Sequence, residues 1–293
     1  AVLNACHKLE QRGCEVSCVP VDGRGLIDPE DVRSSLRGTT KLISVMFANN
    51  ETGVIQPVPE IARIATDADV YFHTDAVQAV TKVPVDVRAL GCDLLSFSGH
   101  KMHAPQGIGA LYVRRGTLLE PLFFGGNHER QRRAGTENLP GIVALGAAAE
   151  IAIRDFESGA TAKIGALRDR LESGILTAIP ECGVNGAGAP RVPNTSNLWF
   201  DYIEGEPAVI ALDLKGIAVS TGAACSSGAI EPSHVLTAMG VSGERARASL
   251  RFSLGKHNTE ADVDYVLEVL PSVIARLREI SPLYKNNASE THV

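Results

Sequence analysis

No apolar run in this 293-residue chain approaches the ~20 residues needed to cross a bilayer, so a helical membrane bundle is excluded. Basic residues are not in excess: 28 Lys and Arg against 34 Asp and Glu give a net charge of −6, which supplies no positive field for nucleic acid. Cysteine is sparse. The six residues Cys6, Cys14, Cys18, Cys92, Cys182 and Cys225 are too few for a disulfide scaffold and form no pair of CxxC knuckles. Cys14 and Cys18 have no partner pair, which argues against zinc, and His103 and His128 lack the neighbouring carboxylate or Cys spacing of a metal site. Internal repeats, low-complexity tracts and a secretory signal are also missing, and a reducing cytoplasm is the expected setting. The chain opens without Met, at Ala1, inside a predicted helix Ala1–Arg12, and reads as a cut chain.

What is present is ordinary globular composition, 44% hydrophobic and 21% charged. The length is about twice the ~150-residue domain prior and can bury a large core without staples. In the first half, short apolar runs alternate with amphipathic stretches. Predicted strands are Glu15–Val19, Lys41–Phe47, Val70–Thr74, Asp93–Ser98 and Ala110–Arg114, with helices at Asp28–Leu36 and Pro59–Thr66. That alternation predicts an α/β fold with a mostly parallel sheet. Leu139–Phe156 reads as a long buried helix, Ser158-Gly159 as a hinge and Thr161–Ala178 as a second long helix. Beyond it, strands at Asn197–Phe200, Ala218–Thr221 and Ala248–Leu254 mix with helices at Pro207–Leu214, Ser233–Met239 and Glu260–Glu279. The expected division is therefore 1–158 as a larger domain and 159–293 as a smaller α+β domain, with a polar tail at Lys285–Val293.

Ligands in parallel sheets sit beyond the carboxyl ends of the strands, a rule that singles out Asn49–Gly53, Asp75–Gln78 and Ser98–Lys101. A lysine in the turn Ser98-Gly99-His100-Lys101 can form a Schiff base when it faces a cleft, or it can be a solvated loop side chain. Asp75 can hold a protonated pyridine nitrogen, or simply cap the next helix. It lies 26 positions before Lys101, the spacing of one α/β crossover, which puts both on one rim. Asn50 lies in Asn49-Asn50-Glu51-Thr52-Gly53, which is either turn chemistry or an amide donor beside a ligand. Arg247 and Arg251 can clamp a carboxylate or form surface ion pairs. Thr136, in the polar loop before the long helix, can cap that helix, whose free N–H groups can bind an anion. The stretch Ser220–Gly228 is small, polar and flexible, and its single Cys225 suits a nucleophile that must travel. The other five cysteines read as structural.

Taken in order, Ala48–Gly53 (Ala-Asn-Asn-Glu-Thr-Gly), Ser96–Lys101 (Ser-Phe-Ser-Gly-His-Lys), Arg133–Asn138 (Arg-Ala-Gly-Thr-Glu-Asn) and Ala223–Ser227 (Ala-Ala-Cys-Ser-Ser) resemble the cysteine desulfurases of the nitrogen-fixation and iron–sulfur-cluster assembly type, in the group with the long Cys loop. The resemblance runs over nearly the whole chain. It implies the aspartate-aminotransferase-like, type I pyridoxal 5'-phosphate enzyme fold and a homodimer. It also implies the site roles: Lys101 bonded to the cofactor, Asp75 on the pyridine nitrogen, Gln78 on the phenolic oxygen, Ser98 and His100 on the phosphate. Thr136 is implied to reach the phosphate of the other subunit, Asn50 and Arg251 to hold the carboxylate of L-cysteine, and Cys225 to take the sulfur as a persulfide. A sulfur acceptor such as a cluster scaffold, or tRNA thiolation, lies downstream. The alternatives that go with the resemblance are a selenocysteine lyase, and a silent fragment that only binds assembly partners. Family members carry an upstream segment of roughly a quarter of the chain that is expected to complete the phosphate cradle, stack on the ring and extend the small domain.

Overall fold

The computed structural model describes residues 2–221, 232–282 and 284. Its first half contains helices α1 (Val2–Glu10), α2 (Pro29–Ser34), α3 (Val58–Asp67) and α4 (Val87–Leu90) and strands β1 (Leu42–Met46), β2 (Tyr71–Asp75), β3 (Leu94–Ser98) and β4 (Gly109–Val113). The strands lie in the order β1-β2-β3-β4. The pairs β1·β2 and β2·β3 are parallel, with Met46 opposite Asp75 and Asp75 opposite Ser96, and β4 closes the sheet antiparallel to β3. Helix α3 carries Val58, Ile61, Ala62 and Ala65 at the spacing of one helical face, and all four are buried. They pack with Val45, Phe47, Phe72 and Leu95 in the first core.

Glu15–Val19 does not become a strand: the sheet ends at β1, and Val19 packs on the core from outside the ladder. Arg37 ties the same segment down, donating to Glu15 Oε2 at 2.8 Å and to Ser17 Oγ at 3.0 Å.

Two further helices follow: α5 (His128–Gln131), a short kinked turn, and α6 (Leu139–Glu157). Helix α6 was expected to be buried, and it is not. Only Gly141 and Ala148 are buried, while Leu139, Ile142, Val143, Ile151 and Ile153 are exposed. Its alanine side sits on Met102 and Ala104.

After Ser158 and a left-handed Gly159, α7 (Ala160–Ala178) opens the second half. It contains β5 (Cys182–Val184), β6 (Thr195–Phe200), α8 (Gly205–Asp213), β7 (Ser220–Thr221), α9 (His234–Ala238), α10 (Gly243–Arg247), β8 (Ser249–Ser253) and α11 (Glu260–Ile280). The strand order is β5-β6-β8-β7 and every pair is antiparallel. The core joins Leu171 and Ile175 of α7, Leu198 and Phe200 of β6, and Leu270 and Ile274 of α11. Gly174 lets α7 and α11 approach closely, since a Cβ there would lie 2.6 Å from Leu267.

The two halves are stitched together where residues 190–192 run along residues 53–55. Val192 N donates to Gly53 O at 2.8 Å and Ile55 N to Pro190 O at 2.8 Å. Arg191 in that stitch forks onto Glu172 of α7, two bonds of 2.8 Å, and Ser196 Oγ donates to Glu172 at 2.6 Å. Burial pushes the Glu172 carboxyl up, but the Arg191 and Ser196 bonds outweigh it and hold the group below its ordinary value. Glu172→Gln leaves a mostly buried guanidinium uncompensated and is expected to cost about 3 kcal/mol in urea unfolding at neutral pH. Because the folded value is depressed, this contribution is present above the ordinary carboxylate range and is lost as pH falls through the folded value. The gap between parent and variant should therefore close in acid, and a gap independent of pH would contradict the assignment.

Candidate active site

Because β1, β2 and β3 are parallel neighbours, their carboxyl ends open on one edge of the sheet, and each is followed by a turn that presents polar groups. After β1, Asn49 Oδ1 accepts from the N–H of Glu51 at 2.8 Å and of Thr52 at 3.0 Å, folding the chain sharply. Gly53 closes the turn at φ 77°, and a Cβ there would lie 3.1 Å from Val192 and 3.2 Å from Thr195. Asn50 is thereby exposed at the tip.

After β2, Asp75 Oδ1 accepts from Val77 N at 2.9 Å, while Oδ2 accepts from no group among the described residues. No helix follows for Asp75 to cap; the chain continues in turns tied down by buried Ala76 and Ala79. Gln78 and Lys82 are half-buried there, with Lys82 Nζ donating to Gln78 Oε1 at 2.6 Å. After β3, Gly99–Met102 form a 3-10 turn whose buried Met102 anchors it below, leaving His100 and Lys101 exposed. Ser98 Oγ and His100 Nδ1 are 2.7 Å apart. Lys101 Nζ makes no hydrogen bond or ion pair among the described residues.

The second half contributes Arg251 of β8. Its Nη1 donates to Asn50 O at 2.8 Å, and its Nε is buried with no partner among the described residues. Lys82 lies within electrostatic reach of both Lys101 and Arg251. Burial first, then those two cations, push its ammonium down to about 8. Asn50, Asp75, Gln78, Ser98, His100, Lys101 and Arg251 thus belong to one edge of the sheet and its facing strand.

Two expectations need correcting. Thr136 does not cap α6; Asn138 does, accepting from Gly141 N at 3.1 Å, and Thr136 is exposed. Asn138 wins because the N-cap stands immediately before the first helical residue. Arg247 does not join Arg251 in a clamp, since it sits on α10 and faces Glu204 at 3.9 Å. Among the cysteines read as structural, Cys14 and Cys18 are exposed, Cys6 and Cys182 are partly buried and Cys92 is buried. Cys225 lies outside the described residues, but both flanks of its segment are placed. Ser220 of β7 pairs with Arg251, and Ser233 Oγ donates to Glu51 Oε2 at 2.5 Å.

Three participants carried no role in the sequence reading. Glu51 is 4% exposed, and burial raises its carboxyl against the lowering pull of Ser233, His234 and Arg251. His73 bridges Ser44 Oγ (2.8 Å) and Ser96 Oγ (3.1 Å) across three strands. Burial lowers its imidazole against the opposing effect of Asp75. Lys82 is the third, and its four-residue spacing from Gln78 is the only trace of it in the sequence.

A basic amine, a carboxylate oxygen without a donor, an amide with its nitrogen end unused and a buried unpartnered guanidinium N–H form one donor and acceptor set. A phosphorylated pyridine aldehyde fits it: the amine meets the aldehyde, Asp75 the ring nitrogen and the amide the phenolic oxygen. Among the described residues no cluster of three or more His, Cys, Asp or Glu side chains is arranged to hold a metal ion.

The chain matches the family Aminotransferase class-V over residues 1–266. It is 52% identical over 283 residues to the protein named Cysteine desulfurase IscS from Methanosarcina thermophila, covering 97% of this chain and 70% of that protein. Among solved structures, a NifS-like protein superposes with a TM-score of 0.85 at 37% identity, covering 94% of this chain and 72% of that one. SspA in complex with cysteine gives a TM-score of 0.73 at 34% identity, over 88% of this chain and 71% of that one.

Proposed function

This chain belongs to the class-V aminotransferases and, within them, to the cysteine desulfurases of type I fold, and on that premise we propose that it transfers sulfur from L-cysteine to Cys225, releasing L-alanine. Pyridoxal 5'-phosphate is the cofactor of this reading; when bound, it supplies an electron-withdrawing ring that stores the charge left by removal of the α-proton.

Each role falls to a residue at the edge of the sheet. Lys101 would hold the cofactor through Nζ and, as a free amine, would move the α-proton of the substrate. Asp75 Oδ2 sets a negative charge against the ring nitrogen, and Gln78 Nε2 donates to the phenolic oxygen. Ser98 and His100 bind phosphate, joined by Thr136 of a second copy in a homodimer. Arg251 and Asn50 orient the substrate carboxylate. Arg251 is held in place by Asn50 O and keeps Nε for the ligand. The Cys225 thiolate attacks the substrate sulfur, so that the S–S bond forms as the Cβ–S bond breaks. Its electron pair stays with the three-carbon fragment, which takes up a proton and leaves as alanine. The balance is cysteine plus thiol giving alanine plus persulfide.

The reading extends to residues 1–158 as the cofactor-binding part, 159–293 as the part carrying Cys225, a cytoplasmic setting, and a sulfur-acceptor protein such as a cluster scaffold. What supports it most is a single contact: Arg251, opposite the strand that leads toward Cys225, reaches the motif loop after β1. The test is release of alanine and sulfide from L-cysteine by this chain with added pyridoxal phosphate. Asp75→Asn is expected to bind cofactor and to lose about a thousandfold in turnover, because an amide supplies no charge to the ring nitrogen. Turnover within about tenfold of the parent would reduce Asp75 to a turn-former, a difference of only ~1.4 kcal/mol.

A further inference from the structure

We propose that Lys82 is a positioning residue, which by donating to Gln78 Oε1 turns the amide so that Nε2 faces the phenolic oxygen of the cofactor. The role rests on the cofactor reading given above.

A glutamine amide has two ends of similar shape and opposite hydrogen-bonding sense. Nothing in its own geometry decides which end faces a ligand. While it holds its proton, below about pH 8, the Lys82 ammonium has donors only and selects the oxygen end, and at 2.6 Å the contact is slightly shorter than the usual N–H···O range of about 2.7–3.2 Å. The nitrogen end is then left with no partner among the described residues. Turned the other way, Gln78 would set its carbonyl oxygen against an oxygen that carries negative charge.

Lys82 is half-buried, which fits a fixed internal strut better than a surface charge. The charges facing it are Lys101, from the turn after β3, and Arg251, from β8. Gln78 Oε1 is its sole hydrogen-bond acceptor among the described residues, and it forms no ion pair there. Its bond energy therefore goes into the orientation of one amide.

The role predicts a spectroscopic signature in the reconstituted full chain. A donor on the phenolic oxygen drains the negative charge that helps the neighbouring nitrogen keep its proton. The visible band of the bound cofactor, titrated against pH, should therefore show its midpoint raised by about one pH unit in Lys82→Met. Lys82→Arg should restore the parent midpoint, since it supplies donors only. Gln78→Leu should raise the midpoint by a similar amount, and Lys82→Met should add nothing in that background. An unshifted Lys82→Met, or shifts that add in the double variant, would overturn the role. A parent chain that takes up no cofactor and develops no band would overturn the cofactor reading and this role with it. Unchanged far-UV circular dichroism in Lys82→Arg and Gln78→Leu separates the signature from a loss of fold.

Discussion

Lys101→Ala is expected to abolish covalent attachment of pyridoxal phosphate and to lower cysteine turnover by at least about a thousandfold, the scale of losing a positioned proton-transfer group. The side chain is exposed at the tip of a turn held from beneath by Met102 and Ala104, so truncation removes chemistry and leaves packing intact. Asp75, Ser98 and His100 remain, and loose noncovalent binding of the cofactor should persist. Borohydride reduction followed by peptide mass spectrometry is the direct measurement. In the parent the adduct should sit on the peptide holding Lys101. The competing amine is Lys82, which burial and the two neighbouring cations bring down to about 8. Lys82, however, is half-buried and its Nζ is engaged by Gln78, whereas Lys101 Nζ has no partner among the described residues. An adduct on Lys82 in the parent would refute the assignment and exchange the two roles.

Much of the first sheet was legible in the sequence, for a physical reason. Strands such as Leu42–Met46 and Leu94–Ser98 are short, largely apolar runs bounded by polar turns, and α3 carries its buried residues at helical spacing. The parallel arrangement then fixes the functional edge, so Asn50, Asp75 and Lys101 follow from topology as soon as the strands are placed. Contacts that join distant parts of the chain could not be read this way. Arg251 meets Asn50 across 201 positions and Ser233 meets Glu51 across 182, and no local period records such pairs. Short elements fail for the opposite reason. The 3-10 turn Gly99–Met102 and the three-residue strand β5 carry too few residues for any period to show. Helix α6 shows a third limit: Ala-rich apolar sequence indicates a surface that is fit to be covered, and it does not say by what.

Cys225→Ala should keep cofactor binding and the spectral response to L-cysteine, yet release no sulfide above background and leave no persulfide on the protein. In the proposed reaction Cys225 acts only after the substrate has met the cofactor, so its loss should stop the last step alone. Cys225→Ser should fail as well, because a hydroxyl is a poor acceptor of sulfur near neutral pH. The argument also runs by exclusion over the other thiols. Cys92 is buried and Cys182 is partly buried, and burial raises both thiols, which makes them poor nucleophiles. Cys6 is partly buried and Cys14 and Cys18 are exposed, but all three lie before β1, in chain that holds no residue of the sheet edge described above. Replacing Cys6, Cys14 and Cys18 by serine should leave sulfide release intact. Cys225, by contrast, is four residues past Thr221, whose neighbour Ser220 pairs with Arg251. On the other flank, Ser233 is fastened to buried Glu51, next to Asn50. The described residues on either side of the Cys225 segment thus both contact the strand and the loop that carry Arg251 and Asn50. Sulfide release unchanged in Cys225→Ala, with loss in Cys14→Ser or Cys18→Ser, would move the nucleophile to the amino-terminal segment and break the link between Arg251 and sulfur transfer.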